Sequence, residues 1–460
     1  MLTMLHRSRS HWFESALLYP PNEPLKQSVE VDVCVIGGGI TGLSTAYHVR
    51  KIDSNASVAL LEGEVIGFGA SGRNAGQLII AFGEGDFRAQ LKRYGEKRLA
   101  QAYHYVHEGL QMIEDLILEH DIHCDYEQTG YYEMGLKSNG DGAVNDYIKF
   151  CKSIGQASYL ESISAEQVAL EFNSPYFGNA CFDSRGGQLN PLKLLHGLKN
   201  ATEQLGAKIY EHSPAVSIER DLNGITVRTG SGTVRCAKLV LATNAYSHLI
   251  HGLQDLGTTR MQSPVFVYAN ITERLTAKQW RELKWPRRCG VNMMSKLFYS
   301  FAPTSDGRLL YVGNYYAAVP SGNEMALDIS KGFMLDGPQH LQSFFPALAG
   351  VRTEQSWGGP ISTTRDYIPH VGLLEDARIG YANGCWGHGL PIGAHNGRTL
   401  AELMLEGSTD STLSWLVTRD KLKWPNRFIT STVVKGLSAV MRHDIRKAGQ
   451  KMNPKFTFTN

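Results

Sequence analysis

The sequence predicts an α/β fold, α+β overall, from three patterns. A short apolar run, Val31 to Ile36, leads into a glycine-rich turn and then a segment with helical periodicity. Five short strand patterns crowd between Lys208 and Ala242. Two further regions, Phe87 to Leu170 and Arg260 to Gly350, mix long helical periods with alternating strands such as Arg308 to Gly313.

The first element is continuous enough in apolar residues for a buried strand of a parallel sheet. It runs into Gly37, Gly39 and Gly42, spaced as G-x-G-x-x-G, and a helix fits Ile40 to Lys51 with Leu43, Ala46, Tyr47 and Val49 on its apolar face. A second strand, Ser57 to Leu61, ends at Glu62, 20 residues beyond Gly42. Strand, glycines, helix and acid at these distances make a dinucleotide-binding βαβ unit. Gly37 permits the tight turn, Gly39 lets a pyrophosphate approach the N–H groups of the helix start at Ile40 and Thr41, and Gly42 lets the helix lie close on the sheet. Glu62 is placed to accept hydrogen bonds from ribose hydroxyls.

The strand patterns further on are Lys208–Tyr210, Val216–Arg220, Ile225–Thr229, Thr233–Cys236 and Lys238–Ala242, with turns at Asn223-Gly224 and Gly230-Ser231-Gly232. The last is apolar from Leu239 and enters Thr243-Asn244, as a parallel strand returning to the first sheet would. In the final third, a dense stretch from Trp357 to Gly372 precedes Gly387-His388-Gly389. A helix is expected from Pro391 to about Leu405, ended by Gly407, and its N-terminus suits negative charge on a bound ring system.

Composition narrows the classes. Glycine is 47 of 460 residues, about 10% against a usual ~7%. The formal charge of +2 asks for no nucleic acid partner. The seven cysteines are scattered without a C-x-x-C pair, which argues against a disulfide framework or zinc site; no metal is expected, and the compartment is expected to be reducing and cytoplasmic. His6, Arg7 and Arg9 precede an apolar stretch, Ala16 to Tyr19, too short for a secretory signal. From Lys435 the tail holds Arg442, Arg446, Lys447, Lys451 and Lys455 against Asp444, with Val440, Met441 and Ile445 between. It could lie peripherally on an anionic membrane, but a solvated tail, or one packed across a subunit, is the preferred reading.

The Val35–Gly42 stretch, the loop Gly67 to Gln77 and Gly387-His388-Gly389 together resemble the FAD-dependent D-amino-acid oxidase/glycine oxidase superfamily. The loop is most similar to that of the bacterial gamma-glutamylputrescine oxidoreductase subfamily, with Ala75 where a glycine is usual. Asp121–Tyr126, Gly186–Pro191 and Ile271–Leu275 extend the resemblance over roughly residues 28 to 407. It implies a Rossmann-like FAD-binding domain with a β-meander, from 28–86, 176–258 and 352–408. A mostly antiparallel substrate-binding domain from 87–175 and 259–351, and a basic extension from 409–460, complete the chain.

The implied activity is oxidation of an amine C–N bond by hydride transfer to flavin, the imine then hydrolysing to an aldehyde or ketone. Small-molecule amine and O2 or a quinone are the implied partners. FAD contacts are implied at Ser71, Gly72, Arg73, Asn74, Ala75, Gly76, Gln77, Val216, Thr243, Asn244, Gly359, Asp366, Gly387, His388, Gly389 and Leu390. Arg73 reads as a cation near flavin or substrate, with a phosphate contact or a structural salt bridge as the alternative. His388 either projects over the ring or contributes its backbone alone. Trp357 walls the substrate pocket or packs in the core. Arg365 and Asp366 are implied to contact the ribityl chain. Cys385 lies outside the motif that anchors flavin covalently, so FAD is expected to be non-covalent and Cys385 an ordinary buried thiol. An amino- or imino-acid oxidase or dehydrogenase would need an arginine to clamp a carboxylate, for which Arg260 and Arg352 are available. A non-catalytic flavin-bearing subunit is the third reading.

Overall fold

The computed structural model describes residues 9–16, 19–83, 87–139, 142–253, 256–320, 324–409, 414–418, 420–425 and 427–459. His6, Arg7 and part of the Ala16–Tyr19 stretch lie outside them. Two eight-stranded sheets carry the chain. In the first, Ser28–Ile36 lies between Val58–Leu61 and Thr233–Leu241, parallel to both. Lys208–Tyr210 adds a parallel edge strand, and Ile379–Asn383 joins the other side, also parallel. The last four residues of Ser28–Ile36 and all of Val58–Leu61 are buried, as a sheet covered on both faces requires. The hairpin of Ser217–Asp221 and Gly224–Arg228 lies antiparallel on Thr233–Leu241, forming the expected meander.

The two strands expected at 233–236 and 238–242 are one, Thr233–Leu241. A single residue, Ala237, cannot reverse the chain. Burial alternates along the half that pairs with the hairpin and becomes continuous where the strand enters the covered parallel sheet.

The second sheet runs in the order Thr353–Thr363, Ser263–Thr272, Leu309–Ala318, Tyr299–Pro303, Gly290–Met293, Tyr131–Leu136, Phe177–Asp183, Leu160–Ile163. Every pairing is antiparallel except that of Gly290–Met293 with Tyr131–Leu136. Two strands fall here that the expected boundaries put with the first sheet. Phe177–Asp183 pairs with Tyr131–Leu136 and Leu160–Ile163, and Thr353–Thr363 pairs with Ser263–Thr272. Composition shows where a strand is but not which strand it pairs with.

The helix Ile40–Ile52 lies on the first sheet, and Gly389–Glu406 lies across it. Gly393 faces Ile40 and Thr41, Gly397 faces Ser44, and Ser44 Oγ donates to the Ala394 carbonyl at 2.6 Å. The basic tail is neither solvated along its length nor free of its own chain. Within the helix Arg427–Met452, Ile445 is buried, and beyond it Phe456 and Phe458 join the core of the second sheet, with the Thr457 carbonyl 2.7 Å from His340 Nε2. Among the described residues no helix is long and apolar enough to cross a membrane.

Replacing Gly42 by alanine would put Cβ 1.9 Å from the Gly37 carbonyl oxygen and 3.3 Å from Ala242 Cβ. Neither neighbour is a flexible side-chain end, so Gly42→Ala is expected to cost about 1–3 kcal/mol, read as a lowered melting temperature.

Candidate functional site

Between Ile36 and Ile40 the chain turns through Gly37 at φ +113°, where a side chain would meet the Ala242 carbonyl at 2.6 Å. The helix that follows begins at Gly39 with no side-chain cap and no acid in its first turn. Apart from that of Ile40, its leading N–H groups are therefore directed at whatever fills the space in front. Ser71 Oγ accepts from Ile40 N at 3.1 Å and brings the loop alongside. Glu62 accepts from Gly38 N at 2.6 Å and from Glu64 N at 3.0 Å. Burial pushes its carboxyl up to about 7, opposed by those two N–H groups and aided by the Glu211 and Glu64 anions.

The loop from Gly67 is tied to the second sheet. Arg73 donates to the Phe68 carbonyl through Nε and to the Gly358 carbonyl through Nη1, both at 2.9 Å, while Trp357 Nε1 donates to the Arg73 carbonyl at 2.9 Å. Asn74 closes the turn internally, donating to the Ser71 carbonyl and accepting from Gly76 N. Gln77 reaches Ser300 Oγ and the Phe301 carbonyl, each at 3.1 Å. The loop is thus a rigid wall between the two sheets.

One cavity of about 1280 Å³ runs from the glycine turn to the face of the second sheet. Strand register aligns its far wall into a row: Trp357, Ala269, Val312, Ser300, Asn292 and Glu133 are successive cross-strand partners, and all six line the cavity. Opposite, the helix Gly389–Glu406 starts at His388, with Gly387 at φ +91°. It starts two residues before the expected Pro391, and Gly407 ends it in the left-handed region as expected. Burial lowers the His388 pKa, so the ring is held neutral; it hydrogen-bonds the backbone at Gly83, and Nδ1 has no partner among the described residues.

Of the residues named from sequence, Gly37, Gly39, Ile40, Thr41, Glu62, Ser71, Arg73, Asn74, Ala75, Gln77, Thr243, Asn244, Trp357, Gly359, Gly387, His388, Gly389 and Leu390 line this cavity. Others stand back from it. Gly42 and Gly72 are packing positions: a Cβ on Gly72 would lie 2.1 Å from the Gly67 carbonyl. Gly76 is pressed on the Leu189 carbonyl in the same way. Val216 is 44% exposed, and its backbone is spent on Arg228 and His251; Pro214 and Ala215 line the cavity instead. Asp366 is buried against His370 at 3.0 Å, and Arg365 turns to the Lys423 carbonyl. Cys385 is half-buried and lines the cavity rather than sitting in the core. Arg260 donates to the Trp424 carbonyl and Arg352 pairs with Glu273 at the surface, so neither carboxylate-clamp candidate is in the cavity.

Sequence reading missed the part of the wall supplied by Tyr103, Tyr147, Glu133, Asn292 and Ser300, and the part supplied by Met441, Asp444, Ile445 and Ala448 of the tail. No motif announces them. Only register and the docking of the tail bring them together.

Asp366→Ala removes the carboxylate contact of the buried His370 ring and is expected to cost about 1–3 kcal/mol in thermal stability.

The chain matches the family model described as FAD dependent oxidoreductase over residues 32–403. It is 31% identical over 402 residues to the gamma-glutamylputrescine oxidoreductase of Escherichia coli (strain K12), covering 87% of this chain and 90% of the relative. It is 24% identical over 396 residues to the glycine oxidase of Bacillus subtilis (strain 168), covering 84% and 95%. Among solved structures, the glycine oxidase of Geobacillus kaustophilus superposes with a TM-score of 0.70 at 19% identity, over 85% of this chain and 99% of that one. With the glycine turn, the acid at the end of the second strand and the cavity in place, the chain belongs to the DAO family of FAD-dependent oxidoreductases, which act on amines or amino acids.

Proposed function

We propose that the protein oxidises an elongated amine of the gamma-glutamylputrescine type at the carbon bearing the reacting nitrogen. One observation carries the reading: the cavity continues from the glycine turn along the whole cross-strand row of the second sheet, and its cationic side chains are already engaged. Arg73 is bound to backbone carbonyls, Arg88 pairs with Asp146 at 2.6 Å, and Lys296 pairs with Asp444 at 3.3 Å. An α-amino acid needs a cation to hold its carboxylate beside the reacting carbon. The 31% identical relative supports the amine in the same direction.

The residues present fit FAD. A methyl group on Gly39 would sit 2.9 Å from Ser71 Oγ, so the absent side chain leaves the space a pyrophosphate needs before the uncapped helix. Glu62 would accept from ribose hydroxyls, and the loop Arg73–Gln77 and the turn His388–Leu390 would face the ring, which is held without a covalent bond. The bound flavin supplies the hydride acceptor. Around it, Trp357, Val312 and Ala269 exclude water from the substrate, which reacts as the neutral amine. The N-terminus of Gly389–Glu406 stabilises negative charge facing it. The product imine hydrolyses in water to an aldehyde or ketone, and the electrons pass to O2 or a quinone. Seven free cysteines suit a reducing, cytoplasmic setting.

Anaerobic addition of gamma-glutamylputrescine to the yellow protein is expected to bleach the flavin band, whereas sarcosine, L-pipecolate and D-alanine leave it intact. Bleaching by an amino acid alone would replace the amine reading with the amino-acid one.

Glu62→Gln is expected to weaken FAD binding by about 10–100-fold, the loss of hydrogen bonds to a charged acceptor. The carboxylate form is the better acceptor and predominates above about 7, so wild-type affinity for FAD should rise as pH rises through about 7 and the variant's should not. Equilibrium dialysis across that range checks both.

A further inference from the structure

We propose that Glu133 is a specificity-determining residue that holds a second, positively charged nitrogen of the substrate, several bonds from the nitrogen that reacts. The inference deepens the amine reading above and rests on it for the identity of the reaction.

Glu133 is the acid at the end of the cross-strand row, next to Asn292, which accepts from Ser300 Oγ at 2.7 Å. Ser300 in turn accepts from Gln77. Glu133 therefore stands two strand spacings, roughly 10 Å, from the residue that the Gly67–Gln77 loop touches. It lines the cavity with Tyr103 and Tyr147.

Its surroundings are neutral or already compensated. Tyr103, Tyr131 and Tyr147 are driven to their protonated forms by burial, and so are the thiols of Cys151 and Cys181. Arg185 is bound to Asp183 through two nitrogens, at 2.9 and 2.6 Å, so its charge is engaged there. Burial and the Asp183 anion push the Glu133 carboxyl up to about 8, with Asn292 pulling the other way. With Arg185 held by Asp183, and Arg88, which lines the same cavity, paired with Asp146, the Glu133 carboxyl faces the cavity without a cation of its own and is a site for one supplied by the ligand. The ammonium of a diamine, or the α-ammonium of a γ-glutamyl amide, has the required charge.

The test titrates holoenzyme anaerobically with 1,4-diaminobutane and n-butylamine, which differ by the second nitrogen, following flavin absorbance as bleaching or band shift. Wild type should bind the diamine about 10–100-fold more tightly. Glu133→Gln should abolish that preference while changing n-butylamine affinity by less than about 3-fold, and Glu133→Asp, which keeps the charge, should retain it. In wild type the preference should grow as pH rises through about 8, where the carboxyl ionises; in Glu133→Gln it should be flat. Equal affinity for the two amines in wild type, or parallel loss of both in Glu133→Gln, overturns the proposal. If the preference holds and no amine bleaches the flavin, the anchor stands and the oxidation reading fails.

Discussion

At Gly42 even a methyl group would lie 1.9 Å from the Gly37 carbonyl oxygen, and that approach of helix to turn governs where the rest of the molecule can go. It lowers Ile40–Ile52 onto the sheet and puts the uncapped N–H groups of its start at the mouth of the cavity. The same device is repeated one layer out. A Cβ on Gly393 would meet Ile40 at 2.6 Å and one on Gly397 would meet Ser44 at 2.5 Å, so Gly389–Glu406 settles directly on the first helix. Two helix N-termini converge on one cavity because Gly393 and Gly397 leave room at the crossing for the Ile40, Thr41 and Ser44 side chains of the other helix.

The second sheet completes what the first begins. Its wall is a row of residues that face one way because strand partners share a pleat, which turns six residues scattered between 133 and 357 into one surface. The Gly67–Gln77 loop is pinned to that surface by Arg73, Trp357 and Gln77. Arg73 thereby serves the wall through its bonds to carbonyls, and its charge, disfavoured by burial, is supported by those backbone oxygens and by the Asp328 anion. The Trp357 indole does two things at once, filling the core and presenting a face to the cavity.

Much of the nucleotide half was legible in the chain because its signals are local: a glycine turn, a helix start and an acid, all within 37–62, where each residue acts on neighbours a few positions away. The loop 67–77 and the turn 387–389 were legible by resemblance. Val216 and Asp366 do not line the cavity, since one side chain faces solvent and the other faces His370, and a motif does not fix side-chain direction.

The sequence by itself determined the βαβ unit, the mixed fold class and the glycines that allow close approach, because steric freedom at a glycine and apolar periodicity are properties of the chain alone. Only the tertiary structure decided which sheet received Phe177–Asp183 and Thr353–Thr363, that the tail docks on its own chain, and that Glu133 faces the cavity beside Asn292. Those outcomes depend on strand register and edge pairing, where a shift of one residue would turn every side chain to the opposite face.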